Sequence, residues 1–510
     1  MINSKIAQYL MVGAAAVVLA GCGGADDVAS PGEGVIVVPS PTPTPTPGTG
    51  TPTPTPGTAA PSCPTGTADV GTIAVGTAGN DSRRVCQVSG TIRGNLRLQN
   101  LAGTIYSLSG KVQVGDDQGA DPSAPAAGAQ SGILTLDAGV TVFGASGADF
   151  LVVNRGSQLI ADGTATRPVV MTSRGNVVGT STADSIGEWG GLVVLGRAPI
   201  GDCADAGATG GTIQCQAPVE GTSGSIYGGA SPNDNSGRLS YLQVRYPGFR
   251  VDTNNELNGI TLGGVGAGTI INNVQVHNSS DDGIEWFGGR VNQKYLVLTG
   301  NDDDSLDVDS GYKGATQFAI VTQRSGGGDK FIEGDSTDKP VNAVPRTDFL
   351  LSNFTFVSSR AQPYIHLRGG MDAALYNGVV SAPVCLDVDT AETIQATGTD
   401  EKGVPRFNSL FFACATPFLD DADVTAAQIA AIFNAGTNNV SNGTSTLTGT
   451  FINGANENGR PFTSPTALSS SFVTVNYIGA VRDANDNWWR GWTCGTATNE
   501  ASCLSVPAAG

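Results

Sequence analysis

Between residues 63 and 420 the chain repeats one phrase: a short alternating apolar/polar run, a turn rich in Gly, Asn or Asp, then another short run. "GILTLDAGVTVFG", "WGGLVVLGRAPI", "TIINNVQVHN" and "KYLVLTGN" are instances. A period of two marks half-buried strands, and the turn residues punctuate them. The clearest repeat sets "NSSDDGIEWFGG" (278–289) against "GNDDDSLDVDSG" (300–311). Displaced by about 22 residues, Val274 falls on Leu296, Val276 on Leu298, Asp281 on Asp303 and Asp282 on Asp304. Ile284 then falls on Leu306, Glu285 on Asp307 and Gly289 on Gly311. Periods of roughly 20–50 residues signal stacked units. With strands as the only content, that unit is one coil of a solenoid. The pattern predicts an all-β fold, a right-handed parallel β-helix over 63–420, its coils hydrogen-bonded at a spacing of about 4.8 Å.

Alternation also assigns faces. Ile284 and Trp286 lie opposite Glu285, and Leu306 and Val308 lie opposite Asp307 and Asp309. The narrow core takes the apolar set, so the acids point outward. "FIEGD" places Glu333 in the same outward slot after longer coils, and "YIHLRGG" and "VCLDVD" place His366 and Asp387 there. Residues 201–235 lack alternation and read as a looped insertion. "VTAAQIAAIFNAG" (424–436) is the one amphipathic helix, in a small C-terminal cap region over 421–510 that covers the solenoid's last edge. Trp488, Trp489 and Trp492 crowd the tail; they are expected to cover the open end of the core, with sugar stacking as the alternative.

The first 22 residues read as an address. Lys5 precedes an apolar run, Tyr9 to Ala20, that ends in Leu19-Ala20-Gly21-Cys22. The run is shorter than the roughly 20 residues a membrane span needs. It resembles the lipobox of bacterial lipoproteins, which implies a signal peptide over 1–22 and lipidation of Cys22, with acyl chains such as palmitate. Gly23 and Gly24 follow, and by the same resemblance the absence of Asp there implies the outer membrane. Residues 23–62 form a linker in which Pro and Thr alternate from 39 to 61, a composition that favours extended polyproline II. Such a stalk reaches roughly 70 Å.

Composition narrows the partners. Acids outnumber bases 45 to 27, for a formal charge of −18, which disfavours nucleic acid and favours divalent cations or basic proteins. The nine cysteines leave eight beyond Cys22, in sequence-close couples: Cys63/Cys86, Cys203/Cys215, Cys385/Cys414 and Cys494/Cys503. An even count in an exported chain reads as disulfides, with neighbour pairing the simplest assignment. Zinc is the rival reading, weakened by the lack of any C-x-x-C and by only two histidines, His277 and His366.

"GEWGGLVVLGRAPI", "SPNDNSGRLSYLQVRY", "NELNGITLGGVGAGTIINNVQV", "DDGIEWFGG", "DDDSLDVDSGY" and "YIGAVRDANDNWWRGWTC" carry a wider likeness. Over roughly 185–320 and 470–495 the chain resembles a family of exported Gram-negative cell-surface or secreted proteins. The resemblance implies a β-helix outside the cytoplasm, often lipid-anchored, and implies no chemistry.

The chemistry must come from the acids. Stacked coils put Asp281 near Asp303, Asp282 near Asp304 and Glu285 near Asp307 at about 5 Å, where two charges repel by roughly 1 kcal/mol in water and about 3 at an effective dielectric near 20. Three compensations are open: shared protons, neutralisation by turn N–H groups and by Arg290, Lys294 or Lys313, or a bridging hard cation such as Ca2+. A solvated, turn-capping acid ladder is the plainer reading. "SSDDGIE" resembles the paired-Asp turn of polygalacturonases, but the Gly-His-Gly and Arg-Ile-Lys that accompany it there are missing. A lyase would need a base beside the cation, and Arg290, Arg324, Lys330 and Arg368 qualify by type. Asp282, Asp304, His366 and Arg368 are the candidates for catalysis if any occurs. The expected role is therefore non-catalytic, binding or adhesion to a glycan or an envelope protein. The alternative is a calcium-assisted lyase or hydrolase of acidic polysaccharides.

Overall fold

A computed structural model describes residues 57–250, 256–337, 341–496 and 502–508, plus the backbone of a strand at Ile36–Val37. The leader, Cys22 and nearly all of the 23–62 linker lie outside the described residues. Among those described, no helix is long and apolar enough to cross a membrane.

Two ladders of parallel strands run the length of the molecule. One is built from short strands: Phe150–Val153, Gly191–Leu195, Ile260–Gly263, Ile284–Phe287, Leu306–Asp309, Ile332–Gly334 and Ile365–Leu367, closing on the end of Asp372–Val388. The other runs through Gly237–Arg245, Ile270–His277, Asn292–Thr299, Lys313–Thr322, Asp348–Val357 and Asp372–Val388. The register is the one read from the repeat: Val274 pairs with Leu296, Ile284 with Leu306 and Glu285 with Asp307. Inward side chains from both ladders, Trp286, Leu306, Val308 and Phe349 among them, form one continuous core.

Each long strand is folded once. Tyr241, Asn273, Tyr295, Phe318, Asn353, Asn377 and Ser409 occupy one level per coil and have φ between 49° and 63°. A single left-handed residue inserts one extra outward position, so Ile271 before the bend and Val274 after it both face the core. Asn tolerates this conformation, whereas Tyr and Phe adopt it at a cost. Here the bulky bends are braced from outside. Tyr295 and Phe318 stack 5.0 Å apart, Trp488 packs 5.1 Å from Tyr295, and Tyr241 meets Trp492 edge-on at 5.9 Å.

That brace is the C-terminal tail, and it departs from expectation. The tail tryptophans do not close the end of the core; they lie along the flank, on the outer side of the bends. Val473 exchanges hydrogen bonds with the Gln317 amide (2.7 and 3.0 Å) and Cys494 with that of Gln275 (2.7 and 2.9 Å). Asn377 bonds Thr463 twice at 2.8 Å, and Asn353 donates to Tyr477 O at 3.1 Å. Further back, Arg245 donates to Ser505 O (2.8 Å) and Arg83 to Pro507 O (3.0 Å). The tail thus runs from the last coils to the first as a strap.

The ends are closed by other means. At the N-terminal end Ala68–Ala74 pairs antiparallel with Ser82–Leu98. At the other end the helix Ala426–Ala435 starts at a Thr425/Gln428 capping box and inserts Phe433 among Phe407, Phe412 and Phe418. The four disulfides pair sequence neighbours: Cys63–Cys86, Cys203–Cys215, Cys385–Cys414 and Cys494–Cys503.

Trp286→Ala, at a site with no solvent exposure, should lower stability by about 3–5 kcal/mol in chemical denaturation. Trp492→Ala should instead release the strap, seen as protease cleavage within 460–496 under conditions where the coils stay intact.

Candidate functional site

The outward slot of the short-strand ladder changes character along the axis. It reads Val152, Val193, Thr261, Glu285, Asp307, Glu333, His366, Asp387, one residue per coil. The apolar members are covered by the 201–235 insertion, whose Cys215, Ala217, Val219 and Tyr227 pack on Phe150, Val152, Val193 and Leu195. Where the insertion ends, the acids begin. In the turn before each short strand a second set stands four residues ahead of the slot: Asp281 before Glu285, Asp303 before Asp307, Asp329 before Glu333.

All six acids expected to hold a cation converge. Carboxylate oxygens of Asp281, Asp282 and Asp303 lie within 4.8 Å of one another, as do those of Asp282, Glu285 and Asp307. The same holds for Asp303, Asp304 and Asp329 and for Asp304, Asp307 and Glu333. Asp329 was not singled out from sequence; its four-residue offset from Glu333 is the signal that finds it.

The column is not a solvated ladder. Asp282, Glu285, Asp304 and Asp387 are each less than a tenth exposed. Asp282 accepts from the Asp304 N–H at 3.0 Å, and Asn258 donates to Glu285. Asp304 Oδ1 is buried with no hydrogen-bond partner. Burial first, and then neighbouring carboxylates, push Asp282, Glu285, Asp304 and Asp307 well above the usual carboxylate range. Burial and Asp303 raise Asp281 to about 7; burial with Asp329 and Glu333 raises the more exposed Asp303 to about 6.

Positive charge is segregated to the later coils. Lys330 pairs with Asp329 at 2.6 Å and lies 5.0 Å over the Tyr364 ring. Arg368 reaches Glu333 (3.1 Å) and Asp335 (3.2 Å). His366 stands 3.3 Å from Glu333 and 3.8 Å from Asp387. Burial raises the Glu333 pKa, but the His366 hydrogen bond and the Arg368 charge outweigh it and hold this carboxyl down at about 2. The other expected neutralisers are elsewhere. Arg290 donates to the carbonyls of Pro199 and Gly311, and Lys313 pairs with Asp400. Lys294 sits on the long-strand ladder, beside Asn272 and Gln317. Arg324, a candidate base by type, pairs with Asp302.

Of the four catalytic candidates, His366 and Arg368 share a coil and converge on Glu333, while Asp282 and Asp304 belong to the acid-only coils before it. The second histidine, His277, plays no part: it is half-buried against Thr299 Oγ1 (2.8 Å), and desolvation followed by the Arg245 charge lowers it to about 3.

The donor set is all oxygen, partly buried, and holds an orphaned carboxylate oxygen at its centre, which fits a hard divalent cation better than a soft one. Residues 96–461 match the family model of the pectate-lyase-like β-helix domain. No curated protein and no solved structure matches the chain. The matched span takes in every coil that bears the column and the helix that caps them, and the chain belongs to the pectate-lyase-like β-helix family.

Proposed function

We propose that this protein is an exported, envelope-associated β-helix that binds an acidic glycan through a divalent cation, calcium by its donor chemistry, without cleaving it. The observation that carries this reading is the Asp304 carboxylate, which is buried, leaves one oxygen unpartnered and shares two clusters of acidic oxygens. Leaving such an oxygen unmade costs about 1–3 kcal/mol or more. A cation held by Asp304 with Asp303 and Asp329, or with Asp307 and Glu333, would remove that cost and the repulsion together. Its remaining coordination positions would take a uronate-type carboxylate of the ligand. Lys330 and Arg368, one and two coils further on, would meet the next anionic groups of an extended chain. The leader ending at Cys22 and the Pro/Thr linker supply the route and the anchor: an outer-membrane lipoprotein held off the bilayer, displayed at the cell surface or released.

A lyase is the second reading, favoured by the presence of Arg368 on the same face. An arginine abstracts a proton only in its neutral form. Arg368 lies between Glu333 and Asp335, and both carboxylates hold its proton in place. Binding therefore outranks cleavage.

With chelator present, stability should fall as pH rises from about 4 to about 7. Asp281 and Asp303 carry folded-state pKa values raised to about 7 and about 6, so the folded chain holds protons there that the unfolded chain has lost. Calcium should flatten that fall in thermal melts, because the ion replaces the protons. At a hundredfold excess over Kd it should add about 2.7 kcal/mol. Asp304→Asn should abolish the calcium increment.

The mature chain should be retained by polygalacturonate or alginate in calcium, elute with chelator and form no unsaturated ends. Unsaturated product that disappears in Arg368→Ala would establish the lyase instead.

A further inference from the structure

A second recess lies beside the column, between the disulfide-closed insertion and the short-strand ladder. It has a volume of about 230 Å³ and its walls include Asp202, Glu220, Tyr227, Phe287, Asp309 and Ser310. It is a different kind of site from the column. The carboxylates of Asp202, Glu220 and Asp309 do not bring their oxygens within 4.8 Å of one another as a set, so they do not converge on one small ion. They surround a space instead. No Lys, Arg or His is among the residues lining it.

One wall is aromatic. Tyr227 and Phe287 lie with ring centroids 5.7 Å apart, tilted by 36°. Tyr227 is 4% exposed, lines the recess, and its hydroxyl has no hydrogen-bond partner among the described residues. Burial comes first in raising this phenol's pKa, and the charges of Asp309, Glu285, Asp202 and Glu220 follow, so the hydroxyl stays neutral in a strongly negative space. Its oxygen can accept a hydrogen bond from a polar guest in the recess.

We infer that this recess binds a primary alkylammonium group. The ammonium has three N–H donors to distribute among carboxylates too far apart for a metal ion. Aromatic faces attract a cation placed within about 6 Å and also accept the apolar stem behind it. The volume admits a few heavy atoms, given that a water's share of liquid is about 30 Å³. The sequence supports an assembled site. Gly263, which follows the outward residue Thr261, leaves the space its own Cβ would take from the Tyr227 ring, 2.7 Å away. The insertion hairpin Ala217–Pro218/Ile226–Tyr227 and the Cys203–Cys215 bridge hold that ring in place. This inference is independent of the glycan reading, since none of the residues carrying that reading lines the recess.

The test is calorimetric titration of the mature chain, in chelator, with n-butylammonium and with neutral n-butanol. Saturable binding of the amine, and none of the alcohol, is expected. Asp202 and Glu220 are exposed, so Asp202→Asn/Glu220→Gln should fold normally, checked by its melting curve, and bind the amine at least tenfold more weakly. Tyr227→Phe, which keeps the aromatic wall, should weaken it a few-fold. Equal affinity for amine and alcohol, absence of saturable binding, or a loss produced by Asp304→Asn and not by the double variant would overturn the assignment. The last outcome would place the amine on the column.

Discussion

In-register pairing of each coil with the next is the constraint from which the other features follow. A parallel ladder with a one-coil period places like residue on like residue. For apolar side chains this is favourable at every step, because Ile284, Leu306, Ile332, Ile365 and Leu386 form a single inward file. For charged side chains it is the reverse. The ladder that aligns the leucines also aligns Glu285 with Asp307 and Glu333, and the backbone offers no way to separate them. The protein meets this in two ways. In the later coils it sets bases beside the acids, with His366 and Arg368 against Glu333. In the earlier coils it leaves the acids together and lets burial keep them protonated or ready for a cation. The boundary between these halves is what makes the face a candidate site.

How much of this the sequence discloses depends on whether a feature is periodic. The 22-residue displacement is legible because apolar and acidic letters agree at once, and it carries the register to the residue. Disulfide pairing is legible because neighbours in sequence are neighbours in space: an antiparallel turn brings Cys63 to Cys86 across 23 residues, and one coil brings Cys385 to Cys414 across 29. Alternation correctly points Glu285 and Asp307 away from the core. It says nothing of what covers them, because the insertion and the neighbouring loops have no period. The outward face therefore reads as solvated, while the structure buries much of it.

The bends and the tail escape for a different reason. Asn273, Asn353 and Asn377 suit a left-handed bend, but Tyr241, Tyr295 and Phe318 occupy the same level against their intrinsic preference. That choice makes sense only once the tail tryptophans lie over them. The apolar cluster "NWWRGW" is visible in the sequence as a group that must be buried. Its destination, a flank assembled from residues 170 to 251 positions earlier, is a long-range fact that no local pattern encodes.

The strap alters what kind of polymer this is. A free solenoid behaves as a one-dimensional chain of neighbours whose terminal repeats can fray alone. Joining Arg83 to Pro507, 424 residues apart, turns the open rod into a closed loop. Peeling either end then disturbs contacts at the other. The repeats should share one fate on unfolding, and assembly cannot finish until the segment bearing Ser505 and Pro507 has been synthesised, which makes the molecule slower to mature than its local contacts suggest.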